Sequence, residues 1–174
     1  MGIAAAGVLA LYLAFGAYQI YDYDLPLHLI TGEYLLRDPS SAGREIFAFP
    51  FPDYEWLNDK WLENVVVYLV DAAAGAPGLV ALRMALLAGL CFLTAGAMGS
   101  GLGLRGPPKP GQAVIAAAGL AFLPFVAYER FNLRPELFSL LLVAAVLWLA
   151  SRDRRTRGEW IAIGVLHVVW VNLR

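Results

Sequence analysis

Residues suited to acid–base chemistry or anion binding cluster near the ends of apolar runs: Asp22, Asp24 and His28 after the first run, Glu129, Arg130, Arg134 and Glu136 in YERFNLRPE, and Asn172 in the last run. A carboxylate so placed can take a proton from an attacking hydroxyl. Arginines hold phosphate oxygens in a two-pronged grip, so this set matches what a lipid-linked anionic substrate needs at a membrane edge. Residue type alone leaves simpler roles open: solvated carboxylates for Asp22 and Asp24, and a hydrogen-bonded interfacial residue for His28. Arg83, inside an apolar run, is explained equally by snorkelling, by pairing with Asp71 or Glu63, or by a phosphate. His167 lies in the last apolar run and must face protein, water or a ligand such as a haem or pigment. In Arg134-Pro135-Glu136 the proline suits the first turn of a helix and aims its neighbours at the helix end.

What must position these residues follows from composition. The chain has 174 residues, 60% of them hydrophobic and 16% charged, against about half and a quarter in soluble domains. Mean hydropathy is +0.63 and the pI about 6.1. These values argue against a free-standing soluble enzyme, a disordered tail or a nucleic-acid binder, and make lipid the solvent for most of the chain. The single cysteine, Cys91, cannot form an internal disulfide. GSGLGLRG has no strand before it and is no dinucleotide fingerprint; the small residues from Ala85 to Gly103 suit close helix packing instead.

Hydropathy and charge predict an all-α membrane protein in a single domain, 1–174, with spans at 3–20, 78–102, 112–128, 134–150 and an incomplete one at 160–174. Segment 22–76 reads as a polar loop carrying two surface helices, LPLHLITGEYLL and Trp61 to Ala74, and the aromatics of IFAFPFPDYEW as an interfacial belt. The basic loops RGPPKPG (Arg105, Lys109) and SRDRRTRG (Arg152, Arg154, Arg155, Arg157) belong in the cytoplasm. Both fall there only if Trp61 to Ala74 lies on the surface. That choice puts the N-terminus in the cytoplasm and segment 22–60, YERFNLRPE and WVNLR outside.

The order of DYDLPLHLITGEYLL, EWLNDKWLENVVVYLVDAAAGAPGLVALRMALL, NLRPELFSLLL and WVNL resembles a family of bacterial multi-spanning proteins related to the GT-C glycosyltransferases, of the protein mannosyltransferase and lipid A aminoarabinose transferase type. The resemblance covers nearly the whole chain, which corresponds to the N-terminal part of such a protein, as a fragment or a shortened relative. It implies a helical bundle with surface helices in the first outer loop, and transfer of a sugar from a polyprenyl-phosphate carrier at the outer face. The catalytic acid maps onto Asp24, with Asp22 the near alternative and His28 beside them. A second acidic position falls on Glu136, or less well on Glu129. Arg83, Arg130 or Arg134 would contact the carrier phosphate, and Asp24 with Glu136 could hold magnesium or manganese. The alternative is a non-catalytic accessory subunit whose partners are other membrane proteins.

Overall fold

The computed structural model describes residues 2–17, 20, 22–44, 47, 55, 57–101, 109–152 and 156–173. The elements are α1 (Gly2–Gly16), α2 (Leu25–Arg37), a 3-10 turn (Pro39–Gly43), α3 (Trp61–Gly101), α4 (Pro110–Val126), a second 3-10 turn (Tyr128–Phe131), α5 (Pro135–Ala150) and α6 (Arg157–Leu173). Helices dominate, and the only extended pairing among the described residues is an isolated bridge between Arg44 and Glu55. Several helices start where the sequence allows it. Proline occupies the first turn of α2, α4 and α5, where its missing N–H costs nothing. At α6 the Thr156 N–H donates to Glu159 Oε2 at 2.8 Å while the Glu159 N–H donates to Thr156 Oγ1 at 3.3 Å, a reciprocal cap.

The surface helix expected at 25–36 is α2. The one expected at 61–74 and the span expected at 78–102 are joined in α3, but Gly75 breaks it with φ 59° and ψ −157°, a conformation open essentially to glycine alone. The chain bends sharply there. A Cβ on Gly78 would stand 3.2 Å from the Val70 carbonyl oxygen, whereas a straight helix separates residues eight apart by about 12 Å along its axis. Among the described residues, α3 is the one helix long and apolar enough to cross a membrane, and its part beyond the bend, 76–101, runs roughly 39 Å. The other expected spans are helices of 15, 17, 16 and 17 residues. Arg105, Arg154, Arg155, Arg174 and most of IFAFPFPDYEW lie outside the described residues.

The part of α3 after the bend is the packing centre. Its Leu79, Leu86, Leu87, Leu90 and Cys91 form a buried core with Tyr12 of α1, Phe131 of the second 3-10 turn, Leu133 just before α5, Leu137, Phe138, Leu142 and Ala144 of α5, and Leu173 of α6. Contacts along the helices fix their directions. Gly16 at the end of α1 meets Met84 and Leu87, Gly89 meets Leu141, Gly96 meets Trp148, and Gly119 meets Met98. Hence α3 and α5 run parallel after the bend, and α1, α4 and α6 run opposite to them; Trp170 Nε1 donates to Ser139 Oγ at 3.1 Å across α5 and α6. Alternation brings the end of α1, the connection from α4 to α5 and the end of α6 to one end of the molecule, beside α2 and the start of α3.

Candidate functional site

At that end Asp22 and Arg134 face one another. Pro135 opens α5, which forces the preceding Arg134 into extended backbone (φ −132°, ψ 162°) and turns its guanidinium toward the chain leaving α1. Arg134 Nε donates to Asp22 Oδ2 at 2.5 Å and Nη2 to Oδ1 at 2.7 Å. The Asp24 N–H adds a bond to Asp22 Oδ1 at 3.0 Å. Burial alone would raise the Asp22 carboxyl, but the Arg134 hydrogen bonds, the Asp24 N–H and the guanidinium charge outweigh it and hold it below the usual carboxylate range. Asp22 is therefore a fixed anion with its acceptor positions filled, and Arg134 a cation already engaged. Asp24 differs. Its side chain is 60% exposed and Oδ2 lies 3.5 Å from Arg134 Nη2, so it is the open carboxylate of the pair and the one able to meet a ligand.

One helical turn on, His28 turns inward from α2 onto the first turns of α3. Its Nδ1 lies 2.7 Å from Asn64 Oδ1 and 3.2 Å from Glu63 Oε2, and Asn64 Nδ2 donates to Asn58 Oδ1 at 3.4 Å. Two acceptors at Nδ1 place a hydrogen there. Glu63 is wholly buried; its Oε2 faces His28 Nδ1, and its Oε1 finds no hydrogen-bond partner among the described residues. A hydrogen-bonding imidazole facing Glu63 is what makes this burial tolerable. For His28, burial works against the cation, but the bond and charge of Glu63 and the bond to Asn64 prevail, raising it above its ordinary value.

A third cluster lies along α5. Asp59, Lys60, Arg130, Pro135, Glu136, Ser139, Leu140 and Val143 line a cleft of about 560 Å³, in which Arg130 Nη1 stands 3.7 Å from Glu136 Oε1. Leu140 and Val143 also wall an apolar groove of about 440 Å³, continued by Leu90, Thr94, Met98, Leu123, Leu147 and Ser151 of α3, α4 and α5 and the residue after α5. A charged cleft and an apolar groove thus lie side by side, sharing the wall of Leu140 and Val143, an arrangement that suits an anionic headgroup beside a long apolar tail.

The remaining candidates lie apart. Arg83 is buried, with Nε donating to the Gly16 carbonyl at 2.9 Å, so it ties α1 to α3 and lines none of the three cavities described. Glu129 accepts from Tyr128 Oη at 3.2 Å in an exposed position. Asn172 accepts from Trp61 Nε1 at 2.8 Å, joining α6 to the start of α3. His167 Nδ1 lies 2.8 Å from the Ile163 carbonyl. A divalent metal does not fit Asp24 and Glu136: each faces an arginine, and no three His, Cys, Asp or Glu side chains among the described residues could hold an ion together.

Glu63, Asn64 and Lys60 are absent from the sequence-derived set. Glu63 enters the sequence reading only as a possible partner of Arg83, and its partner His28 lies 35 positions earlier. The signal that could have found it is the pairing of a histidine and a glutamate on two helices that both read as surface-lying. Comparison of the chain with protein-family models, curated proteins and solved structures finds no match.

Proposed function

We propose that the chain is a multi-pass helical protein of the bacterial inner membrane, with its N-terminus in the cytoplasm, that binds a polyprenyl-phosphate sugar at the outer face as a GT-C-type glycosyltransferase. The observation that carries this reading is the charged cleft lying beside the apolar groove, with Leu140 and Val143 walling both. Lys60 and Arg130 suit the carrier phosphate and the groove its tail. Support for the membrane setting comes from α3, of which only 28% of the apolar window is buried, and from Phe122, Phe125 and Val126 on α4 and Ile161, Val165, Val168 and Val171 on α6, all exposed. A core helix hides such a face; a lipid-facing helix shows it.

In this reading the lipid phosphate enters beside Arg130, whose charge steadies the departing phosphate as the sugar moves. Asp24, solvent-facing and free of a cap bond, takes the proton from the acceptor hydroxyl. Asp22 and Arg134 hold the backbone that presents it. Asp24→Asn should abolish sugar transfer from a polyprenyl-phosphate sugar while leaving lipid binding intact. Leu140→Trp, which fills the wall between cleft and groove, should weaken binding of polyprenyl phosphate at least tenfold by native mass spectrometry. Unchanged activity in the first variant removes Asp24 from the mechanism, and unchanged binding in the second removes the groove.

The mutual neutralisation of Asp22 and Arg134 favours a second reading, an accessory membrane subunit in which these charges only clasp helices. That reading gains if the wild-type chain transfers no sugar and is monodisperse only with other membrane proteins.

A further inference from the structure

Beside the cleft lies a separate cavity of about 400 Å³ between α2, the first 3-10 turn and the start of α3, and His28, Lys60, Arg44, Thr31 and Ser41 face it. We propose that this cavity is a binding site for a phosphate group, in which His28 donates from Nε2 to a phosphate oxygen while Lys60 and Arg44 balance its charge.

The geometry prepares His28 for this. Its Nδ1 hydrogen is committed to Asn64 and Glu63 on the buried side. Nε2, the other ring nitrogen, has no partner among the described residues, and His28 lines the cavity. A buried carboxylate behind an imidazole fixes the ring and favours its charged form, so a donor is aimed at the open space. Lys60 and Arg44 bring two more cations against one carboxylate, Asp59, and the Thr31 and Ser41 hydroxyls supply neutral donors. Cations in excess of carboxylates, with hydroxyls between them, match a dianionic oxyanion. The groups around His28 are Asp22 before α2, Glu63 and Asn64 from α3, Lys60 before it, and Arg44 and Asp59 across the cavity. Phosphate binding should therefore weaken as pH rises through the His28 titration, when Nε2 becomes a lone pair. The site does not depend on sugar transfer: its walls share only Asp59 and Lys60 with the cleft.

The chain has two histidines, so ¹⁵N-histidine NMR of the full chain in detergent micelles gives two imidazoles, with His167→Gln assigning them. Inorganic phosphate tests a free ligand, and a short-chain phosphatidic acid tests a lipid headgroup. A saturable change at the His28 Nε2 resonance with either probe, and none at His167, is the expected result; response to the lipid alone identifies a headgroup as the source. Arg44→Ala leaves the dyad untouched and should weaken the response about tenfold, whereas Arg130→Ala in the neighbouring cleft should leave it unchanged. No change at His28 with either probe, or a response indifferent to Arg44→Ala, overturns the proposal.

Discussion

Arg134→Met should lower the stability of the chain by about 2–3 kcal/mol, a discounted value because the guanidinium is one-third exposed while the Asp22 side chain is fully covered. Removing the cation leaves a covered carboxylate with one backbone N–H for company, and the methionine recovers only the packing of the arginine stem. Unfolding in mixed detergent micelles reads the loss. The double variant Asp22→Asn/Arg134→Met should recover more than half of it, since the penalty belongs to the stranded charge and not to the missing contact. The pH dependence separates this cause from simple loss of packing. Asp22 is held below its unfolded value of about 3.9, so its contribution is present above that value and is lost as pH falls through the lower folded one. In the variant, Asp22 protonates more easily. The gap between wild type and Arg134→Met should therefore narrow as pH drops below about 4; a gap that stays constant assigns the loss to packing.

Gly32→Ala is the second large effect, and it acts through space alone. Gly32 is the point where α2 rests on α3: a Cβ there would stand 2.2 Å from the Asn64 carbonyl oxygen and 2.7 Å from the Tyr68 Cβ. Backbone cannot swing aside as a side-chain tip can, so α2 must lift. The expected cost is about 3 kcal/mol, the upper part of the range for overpacking, even though alanine is the better helix former by about 1 kcal/mol. Lifting α2 also separates His28 from Glu63 and opens the segment between Arg37 and Lys60 to protease. Gly164→Ala is the control, because nothing lies within 4 Å of a Cβ at Gly164 and the propensity gain should then appear undiminished. If Gly32→Ala behaves like Gly164→Ala, α2 does not lie against α3.

Much of this architecture was legible in the residues. Apolar runs located the helices, and Pro135 marked the start of α5, because it removes a first-turn N–H group that has no partner there; Pro26, Pro110 and the Thr156–Glu159 pair play matching roles in α2, α4 and α6. Helical spacing in LPLHLITGEYLL located α2. Charge asymmetry grouped Asp22, Asp24, Arg134 and Asn172 at one end, and the structure places Asp22 and Asp24 against Arg134 and joins Asn172 to Trp61. What could not be read is which cation meets which anion. A run of charges fixes an end of the molecule but not a partner, so Arg83, Arg130 and Arg134 stood as alternatives for a phosphate, with pairing to Asp71 or Glu63 also open for Arg83; in the structure Arg134 meets Asp22 and Arg83 Nε holds the Gly16 carbonyl. The His28–Glu63 contact was hidden for the same reason, since it depends on the depth to which Gly32 lets α2 settle. The bend at Gly75 was foreshadowed only by the shortness of Trp61 to Ala74 and by Pro77 just beyond.

The central claim is that α3 divides at Gly75 into a surface part and a crossing part, which gathers the polar clusters on the outer side of the membrane. Single cysteines in a Cys91→Ala background, exposed to a membrane-impermeant maleimide, test it most directly. Ser40→Cys and Glu129→Cys should be labelled in intact spheroplasts, and Lys109→Cys and Thr156→Cys only after permeabilisation. Labelling of Ser40→Cys and Glu129→Cys from opposite sides would contradict it, because the surface part of α3 would then have to pass through the lipid.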